Sequence, residues 1–177
     1  MESRLLRLII IFLCIASHSF SQEIFKPRTS PLDVTSMRFK DAYAKIVYSR
    51  PHKKGREIFG KLVPYGEVWR TGANESTELT LTRDLQLNNQ LLKAGTYCIF
   101  TIPEKEKWTV IVNSDVGQMG SYNYTPTLDV IRFEVPVELL SERVEVFTIM
   151  FDQNNDLANL LIIWDNVKVT IPVKFLN

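Results

Sequence analysis

Residues 77–102 read TELTLTRDLQLNNQLLKAGTYCIFTI, and their periodicity is that of β-strands. Thr77 to Thr82 alternates strictly between apolar and polar positions, which places one face of the segment toward a core. Leu85–Leu87 and Gln90–Leu92 flank Asn88-Asn89, a two-residue turn whose asparagines tolerate positive φ. Thr96 to Ile102 is rich in β-branched and aromatic residues, which pack well on a pleated surface. The pattern continues on both sides. Upstream lies Tyr43 to Tyr48 (YAKIVY); downstream, the charged turn Pro103 to Lys107 leads into Trp108 to Asn113. Val130 to Val135, Val144 to Phe151 and Ala158 to Trp164 follow, and Asp165-Asn166 is expected to turn the chain into Val167 to Val173. About nine short strands with polar turns and no amphipathic helix predict an all-β fold. The expectation is a single-domain β-sandwich, jelly-roll-like or barrel-like, over residues 31–177.

The amino terminus belongs to a different class. Arg4 and Arg7 precede an apolar run from Leu8 through Ala16, and Ser19-Phe20-Ser21 places small residues before Gln22. This is the layout of a secretory signal peptide over residues 1–21, cut near Ser21-Gln22. The apolar run falls short of the roughly 20 residues of a membrane-spanning helix, and bulky Leu13 argues against lipidation at Cys14. The expected address is therefore outside the cytoplasm, periplasmic or secreted, with no stable membrane anchor after cleavage. Residues 22–30 read as an extended lead-in.

Of 21 basic and 20 acidic residues, the signal segment holds Arg4, Arg7 and Glu2, leaving 19 of each and a formal net charge of zero. A neutral chain lacks the basic footprint of a nucleic-acid binder. Cys98 becomes the sole cysteine, which excludes an internal disulfide; it sits in a strand and reads as a small buried residue. With His18 in the signal segment, His52 is the sole histidine left, expected on an exposed loop. One Cys and one His do not supply a clustered zinc site, and neither a phosphate-cradling glycine loop nor a G-x-S-x-G elbow occurs. Asp152 to Asp156 imitates the start of a calcium loop, but Leu157 replaces its glycine and Ile163 its bidentate glutamate. A polar turn between strands is expected there. No metal and no cofactor are expected.

One stretch breaks the strand pattern. Residues 48–77, YSRPHKKGREIFGKLVPYGEVWRTGANEST, form a connection longer than the 12–15 residues beyond which a loop is functional or disordered as a rule. Ile58, Phe59, Leu62, Val63, Tyr65, Val68 and Trp69 make it too apolar for disorder, so it is expected to pack back on the sheet and hold its polar groups in place. Those groups include Arg50, Lys53, Lys54, Arg56, Arg70, Thr71, Asn74 and Glu75. Arginine forks recognise carboxylate, sulfate or phosphate oxygens, and Asn and Thr add neutral hydrogen bonds.

The same stretch resembles the signature of the family catalogued as domain of unknown function 2911, whose members are mainly exported proteins of Bacteroidetes and related bacteria. YSRP (48–51), KGR (54–56), IFG (58–60), LVPYG (62–66) and VWRTGANE (68–75) carry the resemblance. AGTY (94–97), Ile102-Pro103, Trp108 and the strand pair around Trp164 extend it. The resemblance implies an exported β-rich domain and brings no established activity.

Three functional classes follow from the residues. The first is a binding module for an anionic or polyhydroxylated small ligand or glycan. Arg50, Arg56 and Arg70 would bind oxyanions, with Lys54 and Thr71 beside them. Asn74 would orient the ligand, Trp69 would wall the site, and Glu75 would complete it. The second is a hydrolase or lyase with Glu75 as acid or base, Arg70 as charge stabiliser, and Glu67 or Asp129 as a second carboxylate. The third is a structural envelope protein in which the arginines pair with Glu57, Glu67 or Glu75 to lock the loop. Trp69 reads as a core anchor, Lys53 and Lys54 as solvated, with Lys54 ahead of Lys53 as the one to turn inward, and Tyr122 and Tyr124 as packing and surface rather than a sugar platform.

Overall fold

The computed structural model describes residues 27–176; the expected signal segment, its cut site and residues 22–26 of the lead-in lie outside the described residues. Nine strands form, all paired antiparallel: β1 (Leu32–Phe39), β2 (Ala42–Ser49), β3 (Thr77–Leu81), β4 (Leu85–Leu87), β5 (Gln90–Leu92), β6 (Gly95–Pro103), β7 (Lys107–Asn113), β8 (Asp129–Asn154) and β9 (Leu157–Phe175). A 3₁₀ turn at Pro126–Leu128 is the only helical element among the described residues, and none is a helix long and apolar enough to cross a membrane. The strand order is β1-β2-β3-β6-β7-β8-β9-β4-β5, an open sheet with β1 and β5 at its edges.

The sheet becomes a sandwich because β8 serves both layers. Lys107 to Asn113 of β7 pair with Asp129 to Pro136, whereas Val137 to Asn154 pair with β9. The tyrosine hydroxyl of Tyr48 on β2 donates to the Ile149 carbonyl and accepts from the Ile149 amide of β8, both at 3.0 Å. Phe39 of β1 stacks on Phe175 of β9 with ring centres 6.0 Å apart. The core therefore lies between β1-β2-β3-β6-β7 on one side and the second half of β8 with β9 and β4 on the other.

Two of the sequence expectations are corrected here. Asp165-Asn166 does not reverse the chain, and residues 136–143 do not separate two strands; β8 and β9 run through both places. In β9, Ala158, Leu160, Ile162 and Trp164 are buried. Asp165 then adopts φ +53°, and the buried set shifts parity to Val167, Val169, Ile171, Val173 and Phe175. One irregular residue thus keeps an apolar face inward where a period of two would have turned it out. On β8 the surplus is larger: from Leu139 to Thr148 the strand advances nine residues while its partner goes back four, from Val167 to Ile163. The surplus leaves the backbone at Glu145 and Phe147 for other partners.

β1 was not expected from the sequence. It lies at an edge, where Leu32 and Val34 remain half exposed and blur the contrast between faces. Its open side meets side chains. The Asp33 carboxylate accepts the Val34 amide at 2.8 Å, and the Gln153 amide of β8 accepts from the Arg38 N–H at 3.3 Å and donates to its carbonyl at 2.7 Å.

The short turns follow the sequence. Asn88 and Asn89 both have positive φ, 47° and 62°, and connect β4 to β5. The calcium-loop imitation is the polar turn between β8 and β9, with Asn155 at φ +57°. Cys98 is fully buried with Phe100 and Ile111 on the outer face of β6 and β7, under Val68, Ile102 and Tyr124. Burial pushes its thiol up to about 11, so it is an inert packing residue at neutral pH.

Candidate functional site

The connection between β2 and β3 packs back on the sheet as its composition requires, with Ile58, Val63 and Trp69 buried. It borrows backbone partners from both layers. The carbonyl of Glu145 accepts the Lys53 amide at 2.7 Å, and the Phe147 amide donates to the Pro51 carbonyl at 2.9 Å; these are the groups that the β8 surplus left free. Farther along, Trp69 and Thr101 exchange both backbone bonds (2.7 and 2.9 Å), and the Gly66 amide reaches Pro103 at 3.0 Å. The segment continues the slot of β3 along β6.

Three anchors hold the loop. Lys53 Nζ lies 2.6 Å from Asp165 Oδ2, both side chains about nine-tenths buried, and also donates to the Arg56 carbonyl at 2.7 Å. The irregularity that turns Asp165 inward in β9 therefore creates the counter-ion for the loop. Arg143 reaches the other carboxylate oxygen at 3.3 Å. Second, Trp69 enters a cluster with Phe59, Trp108, Phe147 and Trp164, ring centres 5.0–6.4 Å apart. Third, Thr71 is fully buried at φ +55°, a conformation costly for a β-branched residue. Its hydroxyl meets Thr101 Oγ1 at 3.1 Å and its carbonyl accepts the Thr77 hydroxyl at 2.7 Å. A Cβ on the adjacent Gly72 would crowd the Ser49 carbonyl oxygen at 3.1 Å.

Between these anchors opens a groove of about 550 Å³. Its buried floor comes from Val63, Trp69 and Trp164 and its rim from Leu62, Lys54 and Arg56. Thr29 and Ser30 of the lead-in, with His52, Arg70 and Asn74, complete the lining; no carboxylate is among the lining residues. Arg70 donates through one nitrogen to the Asn74 carbonyl at 3.0 Å and lies over the Tyr122 ring at 5.6 Å. Gly120 permits that approach: a Cβ would stand 3.1 Å from the guanidinium and 3.0 Å from the ring. Arg56 donates at 2.9 Å to the Lys53 carbonyl and also to that of His52. The backbone amide of Lys54 bonds Glu145 at 2.7 Å, while its ammonium has no hydrogen-bond or ion-pair partner among the described residues.

The residues singled out in the sequence are thus divided. Lys54, Arg56, Trp69, Arg70 and Asn74 line the groove; Thr71 supports it from beneath. Arg50 is not in the lining. It clamps the layers together, 3.0 Å from Asp33 and bonded to the Phe147 carbonyl (3.2 Å) and the Thr148 hydroxyl (3.0 Å). Glu75 is also elsewhere, in a separate pocket of about 220 Å³ with Tyr48 and Glu78. Its carboxylate is held below the usual range by its own backbone amide and by Arg28 at 2.8 Å. Neither Glu67 nor Asp129 lines that pocket; Asp129 accepts from Tyr124 at 2.7 Å and Asn113 at 2.9 Å. Arg50, Arg56 and Arg70 pair with Asp33, the Thr148 hydroxyl and backbone carbonyls rather than with Glu57, Glu67 or Glu75, and Glu75 pairs with Arg28 instead.

Two orientations are corrected. Lys53, not Lys54, turns inward, because Lys54 takes φ +49° and Gly55 φ +71°, swinging the next side chain to solvent. His52 is half-buried rather than exposed and lines the groove. Trp69 is the core anchor expected, its indole N–H given to the Gly72 carbonyl at 3.1 Å. Tyr124 packs on Phe100 at 5.2 Å, and burial first, then Asp129, pushes its hydroxyl up to about 12. The lead-in wall at Thr29 and Ser30 was missed, because nothing in its composition marks it. Among the described residues no group of three His, Cys, Asp or Glu side chains converges to hold a metal.

A family model described as a protein of unknown function, DUF2911, matches residues 30–173, in agreement with the motifs of the 48–75 stretch. The matched span includes all of the loop and all of the strands except the last two residues of β9, and the chain belongs to that family. No curated protein and no solved structure matches it.

Proposed function

We propose that this member of the DUF2911 family is an exported binding module that captures an anionic small ligand or glycan fragment in the groove between the lead-in and the long loop. The observation that carries the reading is the charge of the lining: Lys54, Arg56 and Arg70 with no carboxylate among them, although the mature chain is neutral overall. Unlike charges would ordinarily be interspersed, and a concavity lined by one sign concentrates counter-ions. The positive-φ residues Lys54, Thr71 and Asn74 hold this arrangement before any ligand arrives; pre-organisation of this kind reduces the ordering cost of binding. Glu75 and Arg70 do not share a cavity, so the binding reading stands ahead of a hydrolase or lyase.

A thermal-shift titration with anions and sugar acids tests this reading. At a ligand concentration about a hundredfold above Kd, the Tm rises by about 5–10 °C, and the shift shrinks in Lys54→Ala and Arg70→Ala. A Tm indifferent to every anion, with a large loss of basal stability in Arg70→Ala, would assign the motif to holding the fold together.

A further inference from the structure

We infer that the groove takes an organic acid, a carboxylate or phosphate-monoester headgroup on an apolar or aromatic body, in preference to a bare oxyanion or a sugar acid. The inference rests on the anion-binding reading and specifies the rest of the ligand. It begins with volume. A space of about 550 Å³ falls within the roughly 300–1,000 Å³ of small-molecule pockets. At about 30 Å³ for each water, an inorganic oxyanion would leave most of it wet.

The floor decides what fills the remainder. Trp69 and Trp164 stack there with ring centres 6.1 Å apart. Both indole N–H groups already have partners, the Gly72 carbonyl at 3.1 Å and the Glu145 carbonyl at 3.3 Å. Neither donates to a ligand, so the small part of the two tryptophans left exposed is carbon only. Pro51, Leu62, Val63 and Ala73 add more. Asn74, the groove's one side-chain amide, points its nitrogen to the Ser30 carbonyl at 3.4 Å and Ser49 Oγ at 3.5 Å. A ligand rich in hydroxyls would set several of them against this apolar floor, where each unpaired polar group is penalised.

The charge inventory limits the other end. Arg56 is committed to two backbone carbonyls and Arg70 to one. The Lys54 ammonium and the remaining N–H groups of Arg56 and Arg70 are the cationic donors left for the headgroup. Lys54 stands at the exposed rim above the apolar floor, the layout for an amphipathic acid lying head outward.

Calorimetric titration of the full mature protein with 4-phenylbutyrate, acetate, inorganic phosphate, glucuronate and neutral 4-phenylbutanol tests the inference. Quenching of tryptophan fluorescence supplies a second readout from Trp69 and Trp164. The expected result is that 4-phenylbutyrate binds at least about tenfold more tightly than acetate, the gain from covering about 60 Å² of apolar surface. Its affinity falls about tenfold in Lys54→Ala, whose side chain holds nothing in the fold, and falls with added salt. Phosphate or glucuronate binding as tightly as 4-phenylbutyrate would overturn the inference while leaving the anion reading intact. Binding of 4-phenylbutanol as tight as that of the acid would overturn both, as would no binding by any of the anions.

Discussion

The β4–β5 hairpin and the loop between β2 and β3 solve the same problem, how a chain leaves one strand and enters another, by opposite means. The hairpin is decided locally. Two asparagines at positive φ suffice, and their immediate neighbours supply the pairing. The loop is decided at a distance. Lys53 needs Asp165, 112 residues later; Trp69 needs Trp164; and the loop backbone needs groups that β8 releases by running long. Local turns connect strands, whereas the remote solution builds a rigid concavity. That difference teaches why the groove sits where it does: it lies where turn chemistry alone does not close the structure.

Trp69→Ala strikes this contrast hardest. Removing the indole from the five-ring cluster is expected to destabilise the protein by about 4 kcal/mol, as for large-to-Ala changes in cores, measured by urea unfolding. A loss below about 1 kcal/mol would show that the loop is dispensable to the sandwich. Lys53→Met comes next. It leaves Asp165 buried beside only the mainly exposed Arg143, and breaking a buried pair costs about 3 kcal/mol. The double variant Lys53→Met with Asp165→Leu should recover much of that loss, and no recovery would mean the pair is not coupled. Asn89→Gly has the smallest effect and the opposite sign. Glycine accepts positive φ without strain, so a gain of about 0.5 kcal/mol is expected; a loss would show that the asparagine side chain holds more than the turn.

The same contrast explains what the sequence discloses. Strands β2, β3, β6 and β7 were legible because alternation and β-branched content are local properties, and the Asn88-Asn89 turn because its φ values belong to its residue types. The continuity of β8 and β9 was not, since Asp165-Asn166 carries turn chemistry that the neighbouring layer overrides into a bulge. Which lysine of Lys53-Lys54 turns inward depends on one left-handed residue, and nothing in two adjacent identical side chains reveals it. The site was half visible. Arg56, Trp69, Arg70 and Asn74 stand in a stretch too apolar and too cationic to be a passive linker, yet Arg50 and Glu75, from the same stretch, face other neighbours. Their separation is a property of the folded loop, and composition contains no record of it.

The open side of β1 has a consequence beyond this fold. Asp33 occupies the amide of Val34, and one glutamine, Gln153, occupies both backbone groups of Arg38. The strand also carries half-exposed Leu32 and Val34, which a passing strand from another molecule would otherwise find attractive. With these hydrogen-bonding positions filled from within, the edge offers a poor template for end-on growth. The molecule thereby gains protection against polymerising through its own sheet, with three backbone groups guarded by two side chains.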